Sequence, residues 1–473
     1  MGMLADQLKN GGKGVALMES LNGVRISDKP IRNLTDKVEP RTLPGFMELL
    51  PKEQIQFNKM YDTIRKTYER FGFIPLDTPI LESAEVLLAK AGGESDKQIY
   101  RFTKGDTDLA MRFDLTVPLA KYVAKNYNNL AFPFRRYQIG KVFRGEKAQK
   151  GRYREFYQCD IDIIGDGKLS LINDAEIPSI IYNTFKALGF DAFQIKFNNR
   201  KMLNGLFESL SVREQASEVL RIIDKIDKVG KENAAKELES LGIQTNHINK
   251  LFEFLGIKGD NLQIINQLMS LHIDNDTFAL GLQDISQVNE LIKMFGVPDN
   301  NYTIDLTIAR GLDYYTGTVY ETTLNDYPSI GSVCSGGRYD NLAEYYTDRK
   351  LPGVGISIGL TRLFYQFEQV GIVKPVNSTP SSLLIVPIVD DLSYPLELAS
   401  KLRNSGINTE IYLEQKSLKA KLNYANRLGV PYVGIIGETE SDERTVTIKN
   451  MESGEQNKVS FDDVLDIIAS KIR

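Results

Sequence analysis

A chain of 473 residues is too long for a single hydrophobic core and predicts roughly two to four domains. Its 42% apolar and 25% charged residues fit an ordinary soluble globular protein, and a net charge of −4 excludes a histone-like nucleic-acid binder while permitting a local basic surface. Two cysteines exclude a disulfide framework or a four-cysteine zinc site, and two histidines leave little material for a Ser-His-Asp triad or a His-based metal site. No apolar run approaches the roughly 18–20 residues of a membrane helix, and residues 1–10 lack a signal-peptide pattern. A cytoplasmic protein is expected.

Residues 1–40, with Gly11, Gly12 and Gly14 and little periodicity, read as an appendage. Over 52–71, Ile55, Phe57, Met60, Tyr61, Ile64 and Tyr68 recur at helical spacing, and Gly72 stands where a helix C-terminal glycine falls. Pro75 and Pro79 then force extended chain. The spacing predicts a hairpin over 99–116 turning at Lys104-Gly105-Asp106, two strands around a basic loop over 134–165, a helix over 171–188 and a strand over 193–197. This alternation points to an α+β domain on a largely antiparallel sheet, spanning 41–372. Apolar residues at three- and four-residue spacing predict an all-helical insertion at about 201–297. Strands resume over 302–339, and a glycine-rich strand and helix follow at 353–370. Residues 373–382, with Pro375 and Pro380, read as a linker, and 383–473 as a compact α/β domain.

The strongest electrostatic feature lies between 135 and 154. Arg135, Arg136, Lys141, Arg144, Lys147, Lys150, Arg152 and Arg154 stand there against one acid, Glu146. Guanidinium forks pair bidentately with phosphate oxygens, so this stretch predicts a phosphate-bearing ligand; a solvated hairpin tip is the alternative. Gln158 and Asp162 are four apart on a predicted strand and so share one face.

Phe143-Arg144-Gly145-Glu146, followed by Gly151-Arg152-Tyr153-Arg154-Glu155-Phe156, resembles the second signature of class II aminoacyl-tRNA synthetases. The segment from Gly72 to Pro79 resembles the first signature, and that from Gly355 to Leu363 the third. Arg310-Gly311-Leu312-Asp313-Tyr314-Tyr315 and Ser335-Gly336-Gly337-Arg338-Tyr339-Asp340 resemble the two amino-acid-specific signatures of one family in that class, the histidyl-tRNA synthetases. The resemblance covers about 41–473; one departure is Glu48, where the family's opening segment carries Asp.

The resemblance implies a class II catalytic domain on an antiparallel sheet with a helical insertion, a C-terminal α/β anticodon-binding domain, and a homodimer. It implies a histidine–tRNA ligase, which forms histidyl-adenylate from histidine and ATP with Mg²⁺ on the phosphates. The histidyl group then passes to the 3′ end of tRNA(His), with release of AMP and pyrophosphate. Arg144, Arg310 and Arg362 would carry catalysis, with no side-chain nucleophile and no protein metal site. Glu146 would lie near the adenine, Arg152 on the outer phosphates and Phe156 against the base. Asp114, Leu115 and Thr116 match the segment that holds the α-ammonium. Arg144, Gln158, Asp162, Arg310, Tyr314 and Tyr315 complete the histidine site, with Asp162 and Tyr315 at the two imidazole nitrogens. A buried donor and acceptor would read a neutral ring in this way. Lys416, Lys419, Lys421 and Arg427 are candidate tRNA contacts. The rival implied by the same fold is a regulatory paralogue, such as the regulatory subunit of ATP phosphoribosyltransferase. Such relatives typically lack the C-terminal domain and erode the ATP arginines, whereas this chain keeps Arg144, Arg310 and Arg362.

Overall fold

The structure, a computed structural model, describes residues 37–89, 97–147, 151–223, 226–308, 315–371 and 377–472. Most of residues 1–40, and part of the 373–382 segment read as a linker, lie outside the described residues.

An eight-stranded sheet runs in the order Ile74–Pro75, Phe134–Phe143, Glu155–Ile164, Gly353–Gly359, Ser332–Tyr339, Thr318–Leu324, Phe193–Asn199, Tyr302–Ile304. Its two outermost pairings are parallel and the rest antiparallel. The helix Pro51–Arg70 packs on one face through Phe57, Ile64 and Tyr68, and the Tyr68 hydroxyl donates to the Cys159 carbonyl at 3.1 Å. Gly72 follows that helix at φ +76°, the left-handed stop that its sequence position suggested. The helix Ile172–Ala187 buries Ile177, Ile180, Ile181 and Phe185 in the same core. The opposite face is open and carries the cavity described below. The hairpin forms as Arg101–Lys104 and Thr107–Met111, with Gly105 at φ +61°, and a third strand, Leu81–Ser83, joins it.

The insertion is helical throughout its described regular elements. Its first helix, Arg200–Ser209, meets its last, Asp276–Met294, almost backbone to backbone. A Cβ on Gly205 would lie 2.3 Å from the Phe278 amide nitrogen, and one on Gly281 would lie 2.6 Å from that of Met202.

The C-terminal sheet runs Thr409–Ile411, Leu383–Pro387, Tyr432–Ile436, Val446–Asn450, Gln456–Val459, parallel over its first three strands and antiparallel over its last three. The strand Gln456–Val459 and the short helix Glu438–Glu443 were not evident in the sequence. Both are dominated by polar and charged residues and carry no apolar period. The helix Leu418–Leu428 departs from expectation at one residue. Lys421 is buried and donates its Nζ to the Pro387 carbonyl at 2.7 Å, so it braces the sheet and is not available to RNA. Lys416, Lys419 and Arg427 remain exposed.

Replacing a mid-helix glycine by alanine ordinarily stabilises a helix by up to about 1 kcal/mol. At Gly205 the added methyl collides with backbone that cannot move aside. Gly205→Ala should therefore lower the thermal unfolding midpoint by several degrees, read by scanning calorimetry, and an unchanged or raised midpoint would refute the close crossing.

Candidate active site

Directly opposed residues of an antiparallel ladder share a face. Gln138, Asp160, Ser357, Ser335 and Glu321 are successive cross-strand partners and make one polar row across five strands. Beside it runs a second row, Arg136, Asp162, Gly355, Gly337 and Val319. Gln158 sits between Gly140 and Gly359. A cavity of about 450 Å³ lies on this face. The glycines are required by the packing. A Cβ on Gly355 would be 2.4 Å from Asp162 Oδ1, and one on Gly337 would be 2.9 Å from the Tyr315 ring. Their absent side chains let Asp162 lean across the sheet and Tyr315 lie on it.

Of the residues singled out in the sequence, Asp114, Thr116, Arg144, Glu146, Arg152, Phe156, Gln158, Asp162, Tyr315 and Arg362 all line this cavity. Arg310 and Tyr314 lie outside the described residues. Leu115 is buried and is absent from the cavity wall; its carbonyl accepts from Arg136 Nη2 at 3.2 Å.

The basic stretch divides by strand geometry. Arg135 and Arg136 are adjacent and so point to opposite faces. Arg135 pairs with Glu176 at 2.8 Å, Arg136 is fully buried against Asp162 at 2.6 Å, and Lys141 pairs with Glu155 at 2.8 Å. These three are structural cations, which corrects the reading of the whole stretch as phosphate-seeking. Arg144 and Arg152 do reach the cavity. The Arg144 guanidinium lies over the Phe113 and Phe156 rings, at 4.3 and 5.1 Å, and its Nε donates to the Phe113 carbonyl at 3.2 Å. Arg152 faces Glu146 at 3.4 Å, an exposed pair. Arg362 donates to the Ile330 carbonyl at 2.9 Å; burial and the nearby charge of Arg152 both pull its pKa down, so an anion bound there relieves it.

Asp114 Oδ1 accepts from the Thr116 and Val117 amides, at 3.1 and 2.9 Å, where the helix Thr116–Asn126 begins. Asp162 accepts from the Tyr339 hydroxyl at 2.7 Å and pairs through its other oxygen with Arg136. Sequence reasoning assigned no role to Asp160, Glu321, Tyr339 or Ser357, which also line the cavity. The signal for Asp160 was present: it lies between Gln158 and Asp162 on the same period-two face. Arg338, in the second specific signature, is held in a buried pair with Asp174 at 2.5 Å.

An antiparallel sheet bearing this polar cavity, followed by a separate mixed α/β sheet, defines a class II aminoacyl-tRNA synthetase with an anticodon-binding domain. The family model for histidyl-tRNA synthetase matches residues 45–363, and that for an anticodon binding domain matches 382–471. Histidine–tRNA ligase of Clostridium tetani is 60% identical over 92% of this chain and 99% of its own length; that of Finegoldia magna is 48% identical over 91% and 99%. The crystal structure of histidyl-tRNA synthetase from Nostoc sp. PCC 7120 superposes with a TM-score of 0.85 at 40% identity, covering 92% of this chain and all of that one. The chain therefore belongs to the histidyl-tRNA synthetase family. A Bacillus halodurans protein described as an ATP phosphoribosyltransferase regulatory subunit/histidyl-tRNA synthetase shares the fold at 21% identity, with a TM-score of 0.69 over 82% of this chain and 97% of that one.

Three buried carboxyls, Asp114, Asp160 and Asp162, share the cavity wall. Burial pushes Asp160 up to about 7 and Asp162 up to about 6 from an ordinary 3.8, with Arg136 pulling each back and the like charges opposing it. Asp114 is also raised, chiefly by burial, against the pull of its amide partners and of Arg144. Because the folded values exceed the unfolded one, the contribution of these groups to stability is full below pH about 4 and is lost as pH rises through 6 to 7. Asp160→Asn removes one such penalty. Its unfolding free energy relative to the wild type should rise between pH 5 and pH 8, by about 1.4 kcal/mol per unit of pKa displacement relieved in that interval. Denaturant titrations at the two pH values measure the difference, and a pH-independent offset would show that Asp160 is not a raised, buried acid.

Proposed function

We propose that the cavity is the site of histidine activation, and that the chain works as a cytoplasmic histidine–tRNA ligase on histidine, ATP and tRNA(His). The observation that carries this reading is the convergence, on one sheet face, of the cations Arg144, Arg152 and Arg362 with the buried acids Asp114, Asp160 and Asp162. Cations suit a triphosphate and a carboxylate; buried acceptors suit an ammonium group and a ring N–H.

The histidine carboxylate attacks the α-phosphorus of ATP, pyrophosphate leaves, and the terminal ribose hydroxyl of tRNA then attacks the histidyl-adenylate. Arg144, Arg310 and Arg362 neutralise the charge developing at phosphorus, and Arg152 holds the outer phosphates. Glu146 lies toward the adenine and Phe156 stacks on it. Asp114 and Thr116 hold the α-ammonium, with Leu115 setting the backbone between them. Gln158, Asp162, Tyr314 and Tyr315 enclose the imidazole side. No protein nucleophile is needed.

Mg²⁺ accompanies ATP and screens its phosphates. It commonly binds through one or two carboxylates plus substrate phosphates, and Glu321 on the cavity wall would supply such an oxygen. Among the described residues no cluster of three or more His, Cys, Asp or Glu side chains forms a protein-only metal cage.

We divide the chain into an appendage at 1–40, a catalytic domain at 41–372 with its insertion at about 201–297, a linker at 373–382 and an anticodon-binding domain at 383–473. Lys416, Lys419 and Arg427 face the tRNA. The exposed apolar side chains of Ile74, Ile80, Leu81 and Phe102 are the natural contact of a homodimer. Among the described residues, no helix is long and apolar enough to cross a membrane.

Pyrophosphate–ATP exchange without tRNA, run with each amino acid in turn, tests the reading. Histidine alone should support exchange, and Arg144→Ala should lower kcat/KM by about 10²–10³-fold, the usual loss for one preorganised charge-stabilising donor. Folded protein that exchanges with no amino acid would overturn the assignment.

A further inference from the structure

The stretch of chain that bears Arg310 to Tyr315 leaves the sheet after the strand Tyr302–Ile304 and rejoins it at Thr318–Leu324. Phe193–Asn199 lies between those two strands in sheet order and pairs with both. Its ladder with the departing strand ends at Ile304, and its ladder with the returning strand begins at Thr318. Over residues 305–317 the sheet no longer sets the distance between departing and returning chain. Residues 309–314 lie outside the described residues, and the two ends of the stretch are described.

Both ends are held from one place, the junction between Phe193–Asn199 and the first helix of the insertion. The Asn198 side chain is fully buried, and its Nδ2 donates to the Leu306 and Ile308 carbonyls at 3.3 and 3.2 Å. A carbonyl can only accept, so the amide nitrogen must face this pair, and Asn198 Oδ1 accepts from the Asn199 amide at 2.8 Å. Two residues on, the Arg200 amide donates to the Gly317 carbonyl at 2.9 Å. Asn199, between them, serves the insertion: its Oδ1 accepts from the Lys201 amide at 2.9 Å and caps that helix. Each held end carries cavity wall, Ile308 on one side and Tyr315 on the other. The returning end is closely seated as well. A Cβ on Gly317 would lie 2.9 Å from Arg338 Cδ, and Arg338 is fixed by its buried pair with Asp174.

We infer that Asn198 is a positioning residue for amino-acid recognition: together with the Arg200 amide it staples the two ends of residues 305–317, and so sets where Ile308 and Tyr315 stand on the cavity wall. The inference rests on the cavity being the histidine site. The staple serves the amino-acid end selectively, because the phosphate-facing cations are carried elsewhere. Arg144 follows the strand Phe134–Phe143, Arg152 precedes Glu155–Ile164, and Arg362 sits on the helix Leu360–Gln369. Without the Asn198 amide, two buried carbonyls lose their donor, and the chain that carries Ile308 shifts to find another. A site whose supporting groups loosen keeps its residues and loses their placement.

The test is steady-state pyrophosphate exchange on the full-length protein, with KM measured separately for histidine and for ATP. Asn198→Leu keeps a side chain of similar size and removes the donor. It should raise KM for histidine by about tenfold or more, the scale of one or two lost buried hydrogen bonds, while KM for ATP stays within about twofold of the wild type. Gly317→Ala disturbs the other end of the staple against Arg338 and should give the same split. Asp284→Ala is the control. It removes the ion pair with Lys201 Nζ, at 2.7 Å, that joins the first and last helices of the insertion, and it leaves the Asn198 amide in place. Its KM for histidine should stay within about twofold of the wild type. A merely structural Asn198 would lower the amount of active enzyme, and so kcat, with both KM values unmoved; that result would overturn the inference. An equal rise in the two KM values, or a rise for histidine in Asp284→Ala as large as in Asn198→Leu, would overturn it too. Should Asn198→Leu fail to fold, Gly317→Ala decides by the same KM criterion. Absence of histidine-dependent exchange in the wild type would instead overturn the functional reading beneath it.

Discussion

One guanidinium holds the amino-acid end of the cavity together. Arg136 is fully buried, and it joins Asp162 on the neighbouring strand to the carbonyl of Leu115 in the segment that begins the helix Thr116–Asn126. Asp162 is joined in turn to Tyr339 three strands away in sheet order from Arg136. A buried ion pair is a weak source of net stability, because desolvation offsets most of the attraction. What it supplies here is placement. Remove Arg136, and Asp160 and Asp162 lose the cation that offsets both of them, in a wall that must keep its shape without ligand.

The rest of the site follows from that constraint and from the period of the sheet. Gln158, Asp160 and Asp162 occupy alternate positions of Glu155–Ile164 and are opposed on Gly353–Gly359 by Gly359, Ser357 and Gly355. Every second position contributes a polar group or the space for one. The other face of the same strands carries Cys159, Ile161, Ile163, Ile356 and Ile358 into the core under the helix Pro51–Arg70. The sheet is thus a partition, apolar on one side and chemically active on the other, and the register that buries the core also aligns the site.

Much of this was legible in the sequence, and the failures have specific causes. Helix Pro51–Arg70 and its glycine stop, the hairpin at Gly105 and the long strands about the basic loop all carried a clear period or turn residue. The strand Gln456–Val459 did not, because its side chains are polar and its burial slight. Charge was the less reliable guide. Arg136 and Lys421 read as ligand-seeking cations, and both are buried structural braces, since a count of positive charge does not reveal which lie opposite an acid or a carbonyl. Asp160 lay on a legible period-two face with Gln158 and Asp162, whereas Ser357 faces Asp160 only through the ladder, and cross-strand register is not written in any local stretch of chain.

The clamped helices of the insertion have a topological consequence. Phe193–Asn199 and Tyr302–Ile304, the strands on either side of the insertion, are parallel neighbours in the sheet, so the whole excursion is one enlarged crossover connection. Its leading and trailing helices close on each other at Gly205 and Gly281, directly beyond the first of those strands. The loop-closure entropy of a long excursion is met at that junction, and it grows only slowly with further length. Residues between the clamped helices can consequently be exchanged, lengthened or shortened while the sheet continues to receive the chain at the same two points. The insertion is a place where the molecule can acquire new surface without renegotiating its catalytic geometry.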